Sequence, residues 1–439
     1  MQRRSFIKTS SIATASWMTP GWSFRPQEGR IKIGIVGTGW WGTDYLLKYA
    51  LESEAFDIVA LCDVSKVALQ TALDKLAEAG VPAPNTYKTY EALYDHPGLQ
   101  AVIIATPTHW HALQFIAACQ KGLHVWQEKP ISYDIREAQA MSRAYQQAGV
   151  AVNIDFPRLQ APINDQVKDF IRSGQLGEVH QIEFNIHNPV GIPKEVEIPK
   201  SIDFDAYCGP APLQKYLEHP RPGRLNWRVQ QGFSRGILAD WGIHYLQNIR
   251  SVMDLDLPIG VEAIGGITRK IKGVQHPDHL QVHFDYDGLP VIWNHKTWGF
   301  TSTLPHTKIG TFYYGDKGTI FAADSGWEFY PADGSSRKAF GNPRVKLGSK
   351  EFEAEIRREF VAQFLSFAEA IKHKEENAIK GTFEEGFNST SAVIYADLAY
   401  LTKCKLDIEP TTMNVKNNDV AQEMLKRSYR APYVHPYST

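Results

Sequence analysis

The stretch Ile31-Lys32-Ile33-Gly34-Ile35-Val36-Gly37-Thr38-Gly39-Trp40-Trp41-Gly42 constrains this chain more than any other, because an apolar strand running into Gly-x-Gly-x-x-Gly leaves few folds open. Gly37 permits the tight turn after the strand, Gly39 lets a pyrophosphate approach the backbone, and Gly42 lets the following helix pack on the sheet. A helical pattern from Asp44 to Ala50 follows, so its N-terminus offers N–H donors and a positive dipole end. A second strand, Asp57 to Cys62, then ends in Asp63, about twenty residues on, where a carboxylate binds the ribose of a dinucleotide. NAD is the expected cofactor, since a carboxylate repels a 2′-phosphate; Lys66 close by leaves NADP open.

From 31 to 155 strand and helix patterns alternate. A helix from Ala68 to Ala79 precedes the short helix Tyr90 to Tyr94 and the buried strand Ala101 to Ala105. The helix His111 to Lys121, the strand Leu123 to Trp126, the helix Ile135 to Ala148 and the strand Val150 to Ile154 complete a doubly wound parallel sheet. Residues 156–439 read as a second, α+β domain. A helix over Gln166 to Arg172 and a strand from His180 to Ile186 open it. Strands Val261 to Gly265, Leu280 to Tyr286, Val291 to Trp298, Gly310 to Tyr314 and Gly318 to Phe321 with short turns imply a large, mostly antiparallel sheet. Helices over Glu351 to Lys374 and Thr382 to Thr402 are expected to cover it, and the tail from Arg427 reads as an extended arm.

A chain of 439 residues is long for one domain. A net charge of −1, with both signs interspersed, argues against nucleic-acid binding. No run of eighteen apolar residues follows the first strand, so no membrane span is expected there. The four cysteines lie far apart, which indicates neither a zinc ribbon nor a disulfide framework. Residues 1–30 read as signal and linker: Gln2-Arg3-Arg4-Ser5-Phe6-Ile7-Lys8 before a weakly apolar stretch to Met18 is like a twin-arginine export signal. That predicts a periplasmic location, or a cytoplasmic one should the signal not operate. Because this route carries folded proteins, an exported dinucleotide enzyme has to hold its cofactor tightly.

The chemistry of a doubly wound sheet lies at the carboxyl ends of its strands. Thr106-Pro107-Thr108-His109-Trp110-His111 closes one such end beside the nicotinamide half of the cofactor, and Glu128-Lys129-Pro130 closes another. Asp240 and His244 are four apart and on a helix share one face. His276, Asp278, His279 and His283 match no standard metal-ligand spacing and read as solvated loop and strand.

Taken in order, Gly37 to Gly42, Asp63, Thr106-Pro107 with His109 and His111, Glu128-Lys129-Pro130, the segment Asp203 to Pro212, and Asp240 to His244 resemble the glucose-fructose oxidoreductase and inositol dehydrogenase family, Gfo/Idh/MocA. The resemblance implies an N-terminal Rossmann domain and a C-terminal domain whose open sheet joins subunits into a dimer or tetramer. It also implies hydride transfer between NAD(P) and a secondary hydroxyl of a sugar, glycoside or cyclitol, with Lys129, Asp240 and His244 catalytic. Gly37, Gly39, Trp40, Gly42, Asp63, Thr106, Pro107, His109, His111, Glu128 and Lys129 would line the cofactor. Departures from the family pattern, Gln247 three after the histidine and Ser234-Arg235 before the motif, leave the substrate open.

Hydride loss from an alcohol requires a base near neutral pKa and a cation for the developing alkoxide. His244 suits the first role, Lys129 the second, and Asp240 positions a hydroxyl or the imidazole. Arg158, Trp227 and Arg228 are candidate substrate contacts. An alternative reading is an NAD-dependent glycoside hydrolase working by transient oxidation, elimination and re-reduction.

Overall fold

Strand β1 (Ile31–Val36) exposes only Lys32 and buries both of its faces, as a central parallel strand must. The computed structural model describes residues 29–187, 191–221, 224–299, 309–345, 348–374 and 378–437; the twin-arginine-like stretch Gln2 to Met18 lies outside them. Around β1 stand β2 (Phe56–Cys62), β3 (Asn85–Tyr87), β4 (Ala101–Ile104), β5 (His124–Gln127) and β6 (Val152–Ile154), in the order β3-β2-β1-β4-β5-β6. Every pairing is parallel. The strand order turns back on itself between β1 and β4, so the crevice at their carboxyl ends is the place for a ligand.

Helices α1 (Lys48–Glu52), α2 (Lys66–Glu78), α3 (Tyr90–Tyr94), α4 (His111–Gln120) and α5 (Ile135–Ala148) connect these strands. Ser65 caps α2 by accepting from the Ala68 N–H, and Asp134 caps α5 through Glu137. After α6 (Pro162–Arg172), β7 (Val179–His187) enters a ten-stranded sheet. Its order is β16-β15-β14-β13-β7-β12-β11-β10-β17-β18. The strands are β10 (Gly260–Gly266), β11 (His279–Tyr286), β12 (Leu289–Lys296), β13 (Ile309–Gly315), β14 (Gly318–Ala323), β15 (Gly326–Pro331), β16 (Lys338–Gly341), β17 (Leu406–Glu409) and β18 (Asn414–Val415). The sheet is mixed, because β7 and β12 run parallel while the remaining pairs are antiparallel. A separate hairpin pairs β8 (Lys194–Glu195) with β9 (Leu217–Glu218), and α7 (Phe204–Cys208) lies between them in sequence.

In β11, Leu280, Val282, Phe284 and Tyr286 are buried while Gln281 and His283 face outward. The inner face meets α8 (Ile243–Met253) and α10 (Phe383–Thr402), whose buried residues join it in one core. The helix α9 (Lys350–His373) goes elsewhere. It does not cover this sheet, as its position in the chain suggests, but packs on the parallel one. Its stripe Ile356, Phe360, Phe364 and Phe367 sits in the core of β1, β2 and β4, with Phe364 stacked on Trp126 at 3.9 Å. The parallel sheet carries α3, α4 and α5 on one face, while α9 joins α1 and α2 on the other, so the two halves share a core.

After α11 (Asp419–Glu423), residues 427–437 return as an arm across the nucleotide half. Arg427 Nε pairs with Glu137 Oε1 at 2.7 Å, and Tyr429 donates to the same oxygen at 2.8 Å. His435 Nε2 lies 3.0 Å from Asp134 Oδ2. Asp134, Glu137 and His435 converge as metal ligands do, yet the cation among them is the Arg427 guanidinium.

Candidate active site

The glycine loop is crowded on one side and open on the other. Gly37 has φ +95°, and a Cβ there would lie 2.8 Å from the Ala105 backbone; one at Gly42 would lie 2.0 Å from the Gly37 carbonyl. A Cβ at Gly39 meets nothing within 4 Å. That is the space a pyrophosphate needs, at the start of the helical turn opened by Thr43 N–H donating to Gly39 O at 2.9 Å. At the end of β2, Asp63 accepts from the N–H groups of Thr38 and Ser65, both at 2.7 Å. Burial raises its pKa, and these hydrogen bonds oppose the rise. The residues present therefore fit a dinucleotide. Segment 201–203 lies alongside: Lys66 N–H donates to Ser201 O at 2.8 Å and Asp203 N–H to Val64 O at 3.0 Å.

At the end of β4 the side chains turn inward. His111 places its two ring nitrogens 2.7 Å from the Pro130 and Thr106 carbonyls, tying two strand ends together. His109 Nε2 donates to Tyr207 O at 2.9 Å, and the Trp110 indole reaches the same carbonyl. Burial pushes His111 down to about 4 and His109 down to about 3. These two imidazoles shape the crevice wall and do not face it. Thr106 donates its hydroxyl to Gln114 Oε1 at 2.6 Å, and Pro107 precedes the single turn Thr108–Trp110.

Across the crevice, Leu238–Gly242 winds as a π-helical turn that runs into α8. Lys129 reaches over to it: Nζ donates to the Asp240 carbonyl at 2.6 Å and lies 3.4 Å from Asp240 Oδ1. Arg228 Nε holds the other carboxylate oxygen at 2.8 Å, and its guanidinium stacks 4.4 Å from the Trp227 ring. Burial would raise the Asp240 pKa, but Arg228 and then Lys129 bring it below the ordinary carboxylate value. One turn on, His244 is pushed well below 6.5 by burial, then by the charges of Lys129 and Arg158. It is a neutral imidazole at pH 7. Its Nδ1 is buried and has no hydrogen-bond partner, while the ring meets Phe156 edge-on at 5.9 Å. Lys129, Asp240, His244 and Arg228 are thus brought together at the mouth of the nucleotide crevice.

Residues 31–156 match the NAD-binding Rossmann fold of an oxidoreductase family, and residues 184–342 match the C-terminal alpha/beta domain of that family. The protein belongs to the Gfo/Idh/MocA oxidoreductases. A glycosyl hydrolase family 109 protein from Stenotrophomonas maltophilia is 37% identical over 134 residues, 28% of this chain and 29% of the relative. An inositol 2-dehydrogenase from Salmonella paratyphi B is 31% identical over 173 residues, 39% of this chain and 50% of the relative. These matches span half or less of either relative. An Agrobacterium radiobacter oxidoreductase, solved with NAD+, L-tartaric acid and magnesium, superposes with a TM-score of 0.66 at 18% identity, covering 88% of this chain and 99% of that one.

Other parts of this Gfo/Idh/MocA site differ from the sequence expectation. Arg158 lies behind His244, ion-paired with Asp324 and 5.2 Å over the Tyr245 ring. Glu128 turns its carboxylate to the Trp41 indole and to Asp155, away from the groove. Burial, then the Asp155 charge, raises the Glu128 pKa well above the ordinary range. Trp40 faces the Arg224 guanidinium at 4.9 Å. Sequence reading passed over Trp41, Asp155 and Arg224. Asp155 follows the end of β6, and the rule that placed Lys129 would have flagged it. The His276 group also differs: His276 and Asp278 are buried and unsolvated, and Asp278 accepts from the N–H groups of Thr268 and Arg269 as a loop anchor.

Proposed function

We propose that this protein is an NAD-dependent oxidoreductase that transfers hydride between nicotinamide and a secondary hydroxyl of a sugar, glycoside or cyclitol. The observation that carries this reading is the Lys129–Asp240 link, which sets an ammonium from the nucleotide half beside the helix bearing His244. The cofactor supplies the hydride acceptor. His244, a neutral imidazole, takes the hydroxyl proton. Lys129 stabilises the oxygen as negative charge develops, and Asp240, fixed by Arg228, aims the ammonium. Trp227 and Arg228 border the substrate, while Arg158 supports the His244 side through Tyr245.

Asp63 favours NAD. Segment 201–203, bonded to Val64 and Lys66 beside the ribose end, supports a tightly held cofactor. The twin-arginine-like start suits export to the periplasm with that cofactor inside. The outward face of the ten-stranded sheet, where Ile264 is 68% exposed, suits pairing of subunits into a homo-oligomer. The test is incubation of the purified protein with NAD+ and a panel of sugars, glycosides and cyclitols while NADH absorbance is followed. Activity with one class, lost in Lys129→Ala and His244→Ala, supports the reading; no hydride exchange with any member sinks it. The relative described as a family 109 glycosyl hydrolase favours a second reading, transient oxidation with elimination of an aglycone. That reaction releases aglycone without net NADH.

A further inference from the structure

The loop after β9 carries a group of cations that the proposed hydride transfer does not use. Glu218 bridges Leu225, His219 N–H donates to Arg224 O at 2.7 Å, and Arg221 N–H donates to His219 Nδ1 at 3.0 Å. These bonds hold the backbones of Arg221 and Arg224 against His219. Arg224 lies 4.9 Å over the ring of Trp40, which follows Gly39 in the glycine loop. On the other side the chain runs into Arg228, bonded to Asp240, which in turn holds Lys129.

The charges do not balance. Asp240 is bonded by Lys129 and Arg228, and Arg228 in turn adds its charge to that of Arg221 and Arg224. Asp44, the acid nearest in effect on Arg224, is salt-bridged to Lys75. Among the described residues no carboxylate pairs with Arg221 or Arg224. The repulsion is felt throughout the loop: burial first, then Arg221, hold Arg224 below its usual pKa, and burial with Arg224 and Arg221 holds His219 down. Because Arg221 N–H occupies Nδ1, the neutral His219 carries its proton on Nε2, which makes it a further donor. Asn226, 6% exposed and placed between Arg224 and Arg228, has no partner for its Nδ2. A chain with net charge −1 has concentrated unpaired guanidinium groups at one side of its crevice.

We propose that Arg221 and Arg224 bind an anionic substituent, a carboxylate or phosphate, on the substrate, so that the protein acts on sugar acids or sugar phosphates in preference to neutral sugars. This rests on the oxidoreductase reading for the crevice but not for the binding itself. Planar guanidinium forks suit both oxyanions.

The test uses the full chain with its cofactor, titrated with glucose, glucuronate and glucose 6-phosphate and followed by tryptophan fluorescence, to which Trp40 responds. The expected result is that one of the two anions binds about tenfold or more tighter than glucose, as charge-assisted hydrogen bonds imply. In Arg221→Gln/Arg224→Gln that ratio should fall towards one. Equal binding of anionic and neutral probes by the unaltered protein overturns the proposal, and so does a ratio that persists in the variant. Loss of bound NAD(H) with the ratio intact overturns it as well, and assigns the arginines to the cofactor's pyrophosphate. Should the double variant fail to fold, Arg221→Gln alone, at an exposed side chain, must lower the ratio. Anion selectivity without hydride transfer to any probe would leave this site standing and count against the redox reading alone.

Discussion

Lys129 Nζ donates to the Asp240 carbonyl across 2.6 Å, joining the end of β5 to a π-helical turn of the other half of the chain. The ammonium is 9% exposed and the carboxylate 16%, so the pair acts where water screens it weakly. Asp240 is also fixed by Arg228, and the lysine is therefore aimed rather than free to sweep the crevice. Lys129→Met and Asp240→Asn should each lower kcat/KM by about 100- to 1,000-fold. Since the two act as one unit, the double variant should lose little more than the worse single. Steady-state kinetics on the four proteins decide it; multiplied losses would mean that the two residues act separately.

His244 sets the pH dependence. A base must be neutral to take the hydroxyl proton, and burial together with Lys129 and Arg158 keeps this imidazole neutral to well below 6.5. Oxidation should therefore hold its kcat/KM from pH 8 down past the ordinary histidine range at about 6.5, and fall only in more acidic buffer. Lys129→Met removes one of the two cationic neighbours, so the pKa should rise. Imidazole NMR titration of that variant reads the shift directly. A wild-type titration near the ordinary histidine value would remove the electrostatic basis of the assignment.

The glycine loop yields a contrast between two like substitutions. Gly42→Ala puts a methyl 2.0 Å from the Gly37 carbonyl, which the turn can accommodate only by moving, so about 2 kcal/mol or more of stability should go. Gly39→Ala puts the same methyl into open space and should leave the unfolding midpoint of the apoprotein almost unchanged. It should cost dinucleotide binding about tenfold or more, because it fills the phosphate approach. Calorimetric titration with NAD+ beside denaturant curves separates the two. Equal affinities in wild type and Gly39→Ala would move the cofactor off this loop.

The contrast also shows where sequence was informative. Gly37, Gly39, Gly42 and Asp63 were legible because a phosphate turn and a strand-end acid are local patterns of fixed spacing. So were the strands of both sheets, apart from the short β3, the outer strands β15 to β18 and the hairpin β8–β9. Lys129 and Asp240 are 111 positions apart, and only a resemblance to relatives could join them. The stripe of α9 was visible at helical spacing, but periodicity gives a face and not its partner, and the helix packs on the parallel sheet. His109 and His111 were placed at the right strand end and given the wrong direction. A strand end fixes a backbone, while backbone carbonyls of Tyr207, Thr106 and Pro130 decided where the rings point.

The arm over the nucleotide half gives the last prediction. Asp134 and Glu137 are fully buried, and Arg427 is the cation between them. Arg427→Met leaves these carboxyls without it, and breaking a buried pair from one side costs about 3–5 kcal/mol. Denaturant midpoints at pH 7 should show the loss. Burial raises the Asp134 pKa, but His435 and Arg427 bring it below the ordinary carboxylate value, so its contribution is present above the unfolded pKa and fades as pH falls through the folded one. The gap between wild type and variant should accordingly shrink as the pH drops, first as the raised Glu137 carboxyl takes up its proton and then below about 4 at Asp134. An unchanged midpoint at pH 7 would mean that the arm holds by its other contacts, among them Arg430 on Asp205 and Tyr433 edge-on to Trp110 at 5.2 Å.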